Sequence, residues 1–241
     1  PAPPLLTLLT DPELPVVQVA SQWVLLHPAA LAQLPATTLQ ALLASPDVAR
    51  QACGVRLLAA LPLGVLREQT DLLFSYSQSP EAAMREAVHP AIARLAEGGE
   101  DTRAACEQLA QRLHASLFRT EPAEGVHADT LALLHGPLHA FAPGQDADSV
   151  WRALQAQSTG AQQYGAHCLP KLADTAYTLR QWATLGRHAD VRVRERAIAT
   201  VGAQLTPIHA TTPEQADALL PLADSAFDNS QGYARQLFGE Q

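Results

Sequence analysis

The closest histidine pair is His135 and His139, and a gap of four would set two imidazoles on one helical face, a spacing that suits a divalent metal. Gly136 and Pro137 stand between them, and no cysteine follows nearby. His127 and Asp129 could join such a site only if the chain folded back on itself. The segment reads instead as a solvated helix end, and neither metal nor cofactor is assigned. A denser cluster is basic: Arg187, His188, Arg192, Arg194 and Arg196, with Lys171 and Arg180 upstream. In a chain of net charge −8 this local reversal could contact phosphate. The competing reading pairs these arginines with acids of neighbouring helices, here Asp190, Glu195 or Asp174. Steps of two along a helix point about 200° apart, so Arg192, Arg194 and Arg196 cannot share one narrow face. These seven residues form the candidate interaction surface.

No nucleophile elbow, phosphate-binding glycine loop or His-Glu-x-x-His pattern occurs, so no catalytic residue is assigned and the chain reads as a non-enzyme. Cys53, Cys106 and Cys168 lie far apart within apolar helical patterns. That suits small buried hydrophobes in a reducing cytoplasm better than a disulfide framework or a thiolate metal site.

The elements that carry these residues are helical. The 241 residues include 45 Ala and 37 Leu, with only 5% aromatics, a balance that favours helices over an all-β fold. The apolar content excludes a disordered chain, and no uninterrupted apolar run is long enough for a membrane span. Pro1-Ala2-Pro3-Pro4 shows no secretory signal, and the missing Met reads as a piece of a longer chain. Fifteen Arg against a single Lys fits a GC-rich bacterial coding sequence.

An internal repeat organises the first hundred positions at an offset of 34 residues. Leu5, Leu39 and Leu73 align, as do Pro12, Pro46 and Pro80, each followed by an acid: Glu13, Asp47, Glu81. Further along, Ala20, Gly54 and Val88 align, then Trp23, Leu57 and Ala91, then Val24, Leu58 and Ile92. In one unit, Ser45 or Ser79 is expected to cap a helix, Pro46 or Pro80 to take its first position, and Asp47 or Glu81 to lie in its first turn. The apolar stripe Cys53, Leu57, Leu58, Leu61 follows, and Pro62 turns the chain into a second helix over 65–75. Neither helix can bury its face alone, so each pair must stack on the next.

The pattern returns after a less regular middle, in which helices are expected over 101–118 and 128–140. Gly165 to Leu172 lies on Gly54 to Leu61, Thr178 to Leu185 makes a partner helix, and His188-Ala189-Asp190 opens a further unit. Thr212-Pro213-Glu214 caps its second helix, and a last helix covers 229–238. Trp23 falls where Leu57 stands in the next repeat, and Trp182 shares a stripe with Leu179 and Leu185. All three tryptophans, Trp151 included, are expected in the core.

These units resemble HEAT repeats. The segment Asp190-Val191-Arg192-Val193-Arg194-Glu195-Arg196-Ala197, followed by Val201-Gly202, is similar to the HEAT helix pattern of an acid, Val-Arg, Ala and an apolar pair. The later half is also similar to HEAT-like regions of large bacterial multidomain proteins, some of which carry a WGR nucleic-acid-binding module. The segments 165–169, 181–188 and 218–225 carry that likeness, and no WGR motif is present. The resemblance implies an all-α fold, a right-handed α-solenoid of about five to six stacked antiparallel helix pairs of HEAT/armadillo type. It would form a single domain over 1–241, with curvature breaks near 119–127 and 142–149. HEAT-like DNA glycosylases use aromatic and acidic residues on a concave face, but they are strongly basic where this chain is acidic.

The expected function is that of a non-catalytic helical-repeat scaffold for protein–protein interaction, within or between large bacterial proteins. The partner is another protein or other domains of the parent chain, with no membrane. The alternative is a nucleic-acid-binding module using the basic ridge over 171–196.

Overall fold

A computed structural model describes residues 4–205 and 212–238. Pro1 to Pro3, on which the reading of the N-terminus partly rests, lie outside the described residues. Every regular element among the described residues is a helix, and the fold is all-α. The chain divides into two compact units, Pro1–Pro143 and Gly144–Gln241.

In the first unit, α1 (Pro4–Thr7) and a 3-10 turn (Leu8–Thr10) lead into α2 (Leu14–Leu26), followed by α3 (Pro28–Leu31) and α4 (Ala36–Leu43). The next repeat comprises α5 (Val48–Ala60), α6 (Leu63–Arg67) and α7 (Thr70–Ser77). Then come α8 (Ala82–Glu97), α9 (Arg103–Leu117) and α10 (Val126–His135). The long helices stack in sequence order: α5 packs on α2 and α4, and α8 packs on α5 and α7. The second unit holds α11 (Ala147–Leu154), α12 (Thr159–Cys168), α13 (Leu179–Leu185), α14 (Val191–Gln204), α15 (Pro213–Ala223) and α16 (Asp228–Phe238). There α12 packs on α11, α13 on α14 and α15, and α15 on α16.

The helix starts differ from the sequence expectation by two residues. Asp47 itself is the N-cap of α5, and its carboxylate accepts from the Ala49 and Arg50 N–H groups. Ser45 acts one step earlier, its Oγ accepting from the Asp47 N–H at 3.2 Å. Ser79 does the same for Glu81 at 3.2 Å, Asp11 for Glu13 at 2.8 Å and Ser225 for Phe227 at 3.3 Å. Pro12, Pro46 and Pro80 accordingly lie in the turn before the helix rather than in its first turn.

The second helix expected over 65–75 is broken at Glu68 and Gln69, where the N–H groups donate only three residues back, to Val65 and Leu66. One repeat earlier, Gln33 and Leu34 make the same tight turns ahead of Pro35. The helix expected over 128–140 stops at His135, because Gly136 leaves helical geometry and Pro137 has no N–H to continue it.

Two glycines set how closely the helices approach. A Cβ on Gly54 would lie 2.9 Å from the Leu42 Cβ and 3.1 Å from the Leu43 nitrogen. A Cβ on Gly165 would lie 2.9 Å from the Leu154 Cγ and 3.0 Å from the Leu154 nitrogen. Both stand seven residues past an N-cap, Asp47 and Ser158, and both face the end of the preceding short helix.

The tryptophans divide. Trp182 is fully buried and donates from Nε1 to the Asp174 carbonyl at 2.9 Å. Trp151 is half-buried, its ring 5.4 Å from Tyr177, which in turn lies 5.3 Å from Trp182. Trp23 is not in the core: it is 55% exposed where its counterpart Leu57 is 0% exposed. Leu57 is covered by Val17, Ala20 and Val24 of α2, whereas among the described residues no helix stands to α2 as α2 stands to α5.

Candidate interaction surfaces

The basic segment of the second unit begins at the 3-10 turn Leu169–Lys171 and continues through α13 into α14. Its exposed arginines and the half-buried Arg196 each meet an acid. Arg180 reaches Asp217 at 3.3 Å and Arg187 reaches Asp224 at 3.3 Å. Arg192 lies 2.7 Å from Asp190, and Arg196 pairs with Asp174. Lys171 is exposed on the same stretch. The arginine and hydrogen bonds at the cap hold the Asp190 carboxyl below its ordinary range. Glu195, weighed as a partner from the sequence, makes none of these pairs.

Arg194 and His188 sit inside the unit. Arg194 donates from Nη1 to the carbonyls of His188 at 2.8 Å and Ala189 at 2.7 Å, and from Nε to Asn229 Oδ1 at 3.1 Å. Its guanidinium lies 3.9 Å from the Phe227 ring centroid. His188 Nδ1 accepts from the Asp190 N–H at 3.0 Å, the part that Ser45 and Ser79 play in other repeats. Burial pushes the imidazole pKa below its ordinary value, and Arg194 adds to that depression against an opposing pull from Asp190.

Sequence reasoning missed the matching arginine of the first unit. Arg85 stands four residues past its N-cap, as Arg194 does, and reaches back to the carbonyls of Ser79 and Pro80, both at 2.9 Å. It also donates to Asp129 at 2.5 Å and to the Glu124 carbonyl at 3.2 Å. Gln162 and Gln231 fill the same position and donate to Ala156 and Ser225 at 2.7 and 2.6 Å. The signal was a long polar donor at one fixed place in an otherwise apolar stripe.

Asp129 is thereby committed to Arg85 and does not join the histidines. The His127 N–H donates to Glu121 at 2.8 Å. No group of three or more His, Cys, Asp or Glu side chains among the described residues is placed to hold a metal. The three cysteines are buried and unpaired, and burial raises the thiol pKa of Cys106 and Cys168. No helix among the described residues is long and apolar enough to cross a membrane.

Sequence reasoning also missed a grooved face on the first unit that mixes charged and apolar residues. Two adjoining grooves, of about 520 and 360 Å³, share Arg56. One runs on past Glu86, His89 and Pro90 of α8 to Ala132 and Leu133 of α10, and the other past Gln18, Gln22 and Leu25 of α2. Gln22, Arg56 and Pro90 are one repeat apart, which aligns them across successive helices. Arg56 and Glu86 are exposed and make no ion pair among the described residues. His89 Nε2 is buried without a hydrogen-bond partner, and Pro90 has no N–H to give the Glu86 carbonyl one turn below.

No family model matches the chain, and no curated protein sequence matches it. Solved structures with similar helical arrangements include an engineered protein from the Northeast Structural Genomics Consortium, at 17% identity and a TM-score of 0.38, aligned over 97% of this chain and 66% of the other. This chain therefore spans just under two thirds of that protein. Another is an archaeal HEAT-like repeats protein from Thermococcus onnurineus NA1, at 11% identity and a TM-score of 0.41, over 97% and 94% of the two chains. A third is the complex of CpcE and CpcF of phycocyanin lyase from Nostoc sp. PCC7120, at 15% identity and a TM-score of 0.38, over 98% and 93%.

Proposed function

We propose that the chain is a non-catalytic helical-repeat scaffold that binds another protein, or another part of a longer chain, in a reducing compartment such as the cytoplasm. The observation that carries this reading is the face shared by α2, α5, α8 and α10. There Gln22, Arg56 and Glu86 are exposed in adjoining grooves, and neither Arg56 nor Glu86 has an ion-pair partner among the described residues. A peptide or loop supplying both charge signs would satisfy them. Stacked repeats place such groups on successive helices, so the contact can extend over several turns of a partner.

The exposed members of the basic segment, Lys171, Arg180, Arg187 and Arg192, with the half-buried Arg196, are a second candidate edge. Their carboxylate partners reduce the net positive field that duplex recognition requires, which disfavours the nucleic-acid reading. A photo-crosslinking residue at Gln22 or Glu86, and another at Arg187, separates these readings in cells of the source organism. Capture of one protein from positions 22 and 86 is the expected result. Capture of nucleic acid at 187 with nothing at 22 or 86 would overturn it.

A further inference from the structure

The turns before α2, α5, α8 and α16 are each fastened by a side-chain oxygen that accepts an N–H two residues on. Asp11, Ser45, Ser79 and Ser225 supply it, at 2.8, 3.2, 3.2 and 3.3 Å. A serine hydroxyl does not titrate, and a carboxylate loses its acceptors only near its own low pKa. Before α14 the same part is played by a nitrogen base: His188 Nδ1 accepts from the Asp190 N–H at 3.0 Å. An imidazole that accepts at Nδ1 is neutral and carries its proton on Nε2. That Nε2 is buried without a hydrogen-bond partner. The joint therefore tolerates an unmet donor that serine would not bring, and in exchange it becomes titratable near neutral pH.

The α13–α14 turn also anchors the turn of the next repeat. The Gly186 carbonyl accepts from Ser225 Oγ at 3.2 Å and from Ser230 Oγ at 2.6 Å. The His188 and Ala189 carbonyls hold Arg194, which reaches on to Asn229 and the Phe227 ring. We propose that His188 is a proton-operated latch: neutral, it fixes the α13–α14 turn and the α15–α16 turn docked on it, and protonated, it releases both while α11 and α12 stay folded. A proton on Nδ1 faces the Asp190 N–H donor to donor, so the ring must leave or the backbone at 188–190 must turn. The carbonyls that hold Arg194 turn with it. Among the charges around the ring, Asp190 attracts an imidazolium, but it already accepts from the Arg192 side chain at 2.7 Å and from the Arg192 N–H at 2.8 Å. Arg194 repels it, Arg187 pairs instead with Asp224 of α15 at 3.3 Å, and α11 contributes the Leu154 carbonyl. Burial, aided by Arg194, outweighs the attractions, so the latch opens on the acid side of pH 6.5. The device lies in the second unit and does not depend on the Arg56 face.

The test is amide hydrogen exchange of the full chain between pH 7.5 and pH 5, expressed as protection relative to the intrinsic rate at each pH. Protection over 190–194 and 225–230 is expected to fall by up to about tenfold per pH unit below pH 6.5, the limit for release linked to one proton. Protection over 148–168 is expected to hold, and His188→Ser is expected to abolish the fall. An equal loss across the whole second unit, or the same loss in His188→Ser, would overturn the proposal. A second measurement needs no variant: long-range proton–nitrogen spectra of the His188 imidazole at pH 7.5. They are expected to show the proton on Nε2, and a proton on Nδ1 would overturn the latch outright.

Discussion

Arg85 and Asp129 lie 2.5 Å apart, joining α8 to α10 across 44 residues of chain, with the guanidinium almost fully buried and the carboxylate about a third exposed. The same place in the second unit is held by Arg194 and Asn229, at 3.1 Å and 35 residues apart. In both, the guanidinium also satisfies two carbonyls of the loop before its own helix. One side chain therefore ties the inter-repeat turn to the helix of the following repeat. The desolvation cost of burying a cation is offset by four hydrogen bonds from Arg85, and by three from Arg194 together with the Phe227 ring.

Removing either partner therefore has unequal effects. Arg85→Met is expected to destabilise the first unit by about 2–4 kcal/mol, since it leaves loop carbonyls and a half-buried carboxylate unpaired. Asp129→Asn, which copies Asn229, is expected to cost about 1 kcal/mol. Urea unfolding of the two variants reads both values, and equal losses would contradict the assignment.

Glycine substitutions separate close approach from helix propensity. Gly54→Ala gains helix propensity but forces the added methyl against Leu42 and Leu43, for an expected net loss of about 1–2 kcal/mol. Gly64→Ala and Gly232→Ala meet nothing within 4 Å and are expected to stabilise by up to about 1 kcal/mol. Thermal unfolding should move in opposite directions for the two classes.

Acid should weaken the second unit through His188. Its folded pKa is depressed below the ordinary value of 6.5, so the unfolded chain binds the extra proton first. The stability it contributes is full above pH 6.5 and is lost as the pH falls through that value, with a limiting slope of about 1.4 kcal/mol per pH unit. Protonation would also cost His188 Nδ1 its bond from the Asp190 N–H and set a second cation near Arg194. His188→Ser restores the hydroxyl acceptor used at Ser45 and Ser79. Its denaturation midpoint should change less between pH 7.5 and pH 5.5 than that of the parent, and an unchanged difference would exclude His188 as the source.

Reversing exposed charges tests the nucleic-acid alternative without disturbing the fold. Arg180, Arg187 and Arg192 are exposed, whereas Arg194 is buried and hydrogen-bonded within the unit. The anisotropy of labelled duplex and single strand should show little binding at physiological salt, before or after Glu is placed at all three positions. Tight, salt-sensitive binding lost in the triple variant would reverse that conclusion.

The fold was legible because its period is written in apolar spacing. Leu5, Leu39 and Leu73 mark one register, and the Pro-acid pairs mark the starts of α2, α5 and α8 to within two residues. Trp23 was misplaced because alignment to Leu57 carries side-chain direction but not what lies beyond it. Burial in a stacked repeat belongs to the neighbour as much as to the residue. Arg194 was grouped with exposed arginines for a related reason: a charge cluster in sequence does not distinguish a side chain folded back onto loop carbonyls from one facing water. Arg56 and Glu86 gave no sequence signal as a pair, since they lie on different helices and share a groove only once α5 and α8 stack.

Protein binding by the Arg56 face is the reading proposed for this chain. Its most direct test is the affinity of the protein captured at Glu86 for the parent chain, for Arg56→Glu and for Arg187→Glu, each confirmed as folded by circular dichroism. A central interface charge lost or reversed typically costs about 2 kcal/mol or more, so Arg56→Glu should weaken binding at least tenfold while Arg187→Glu leaves it nearly unchanged. Equal affinities for the parent and Arg56→Glu would contradict the claim.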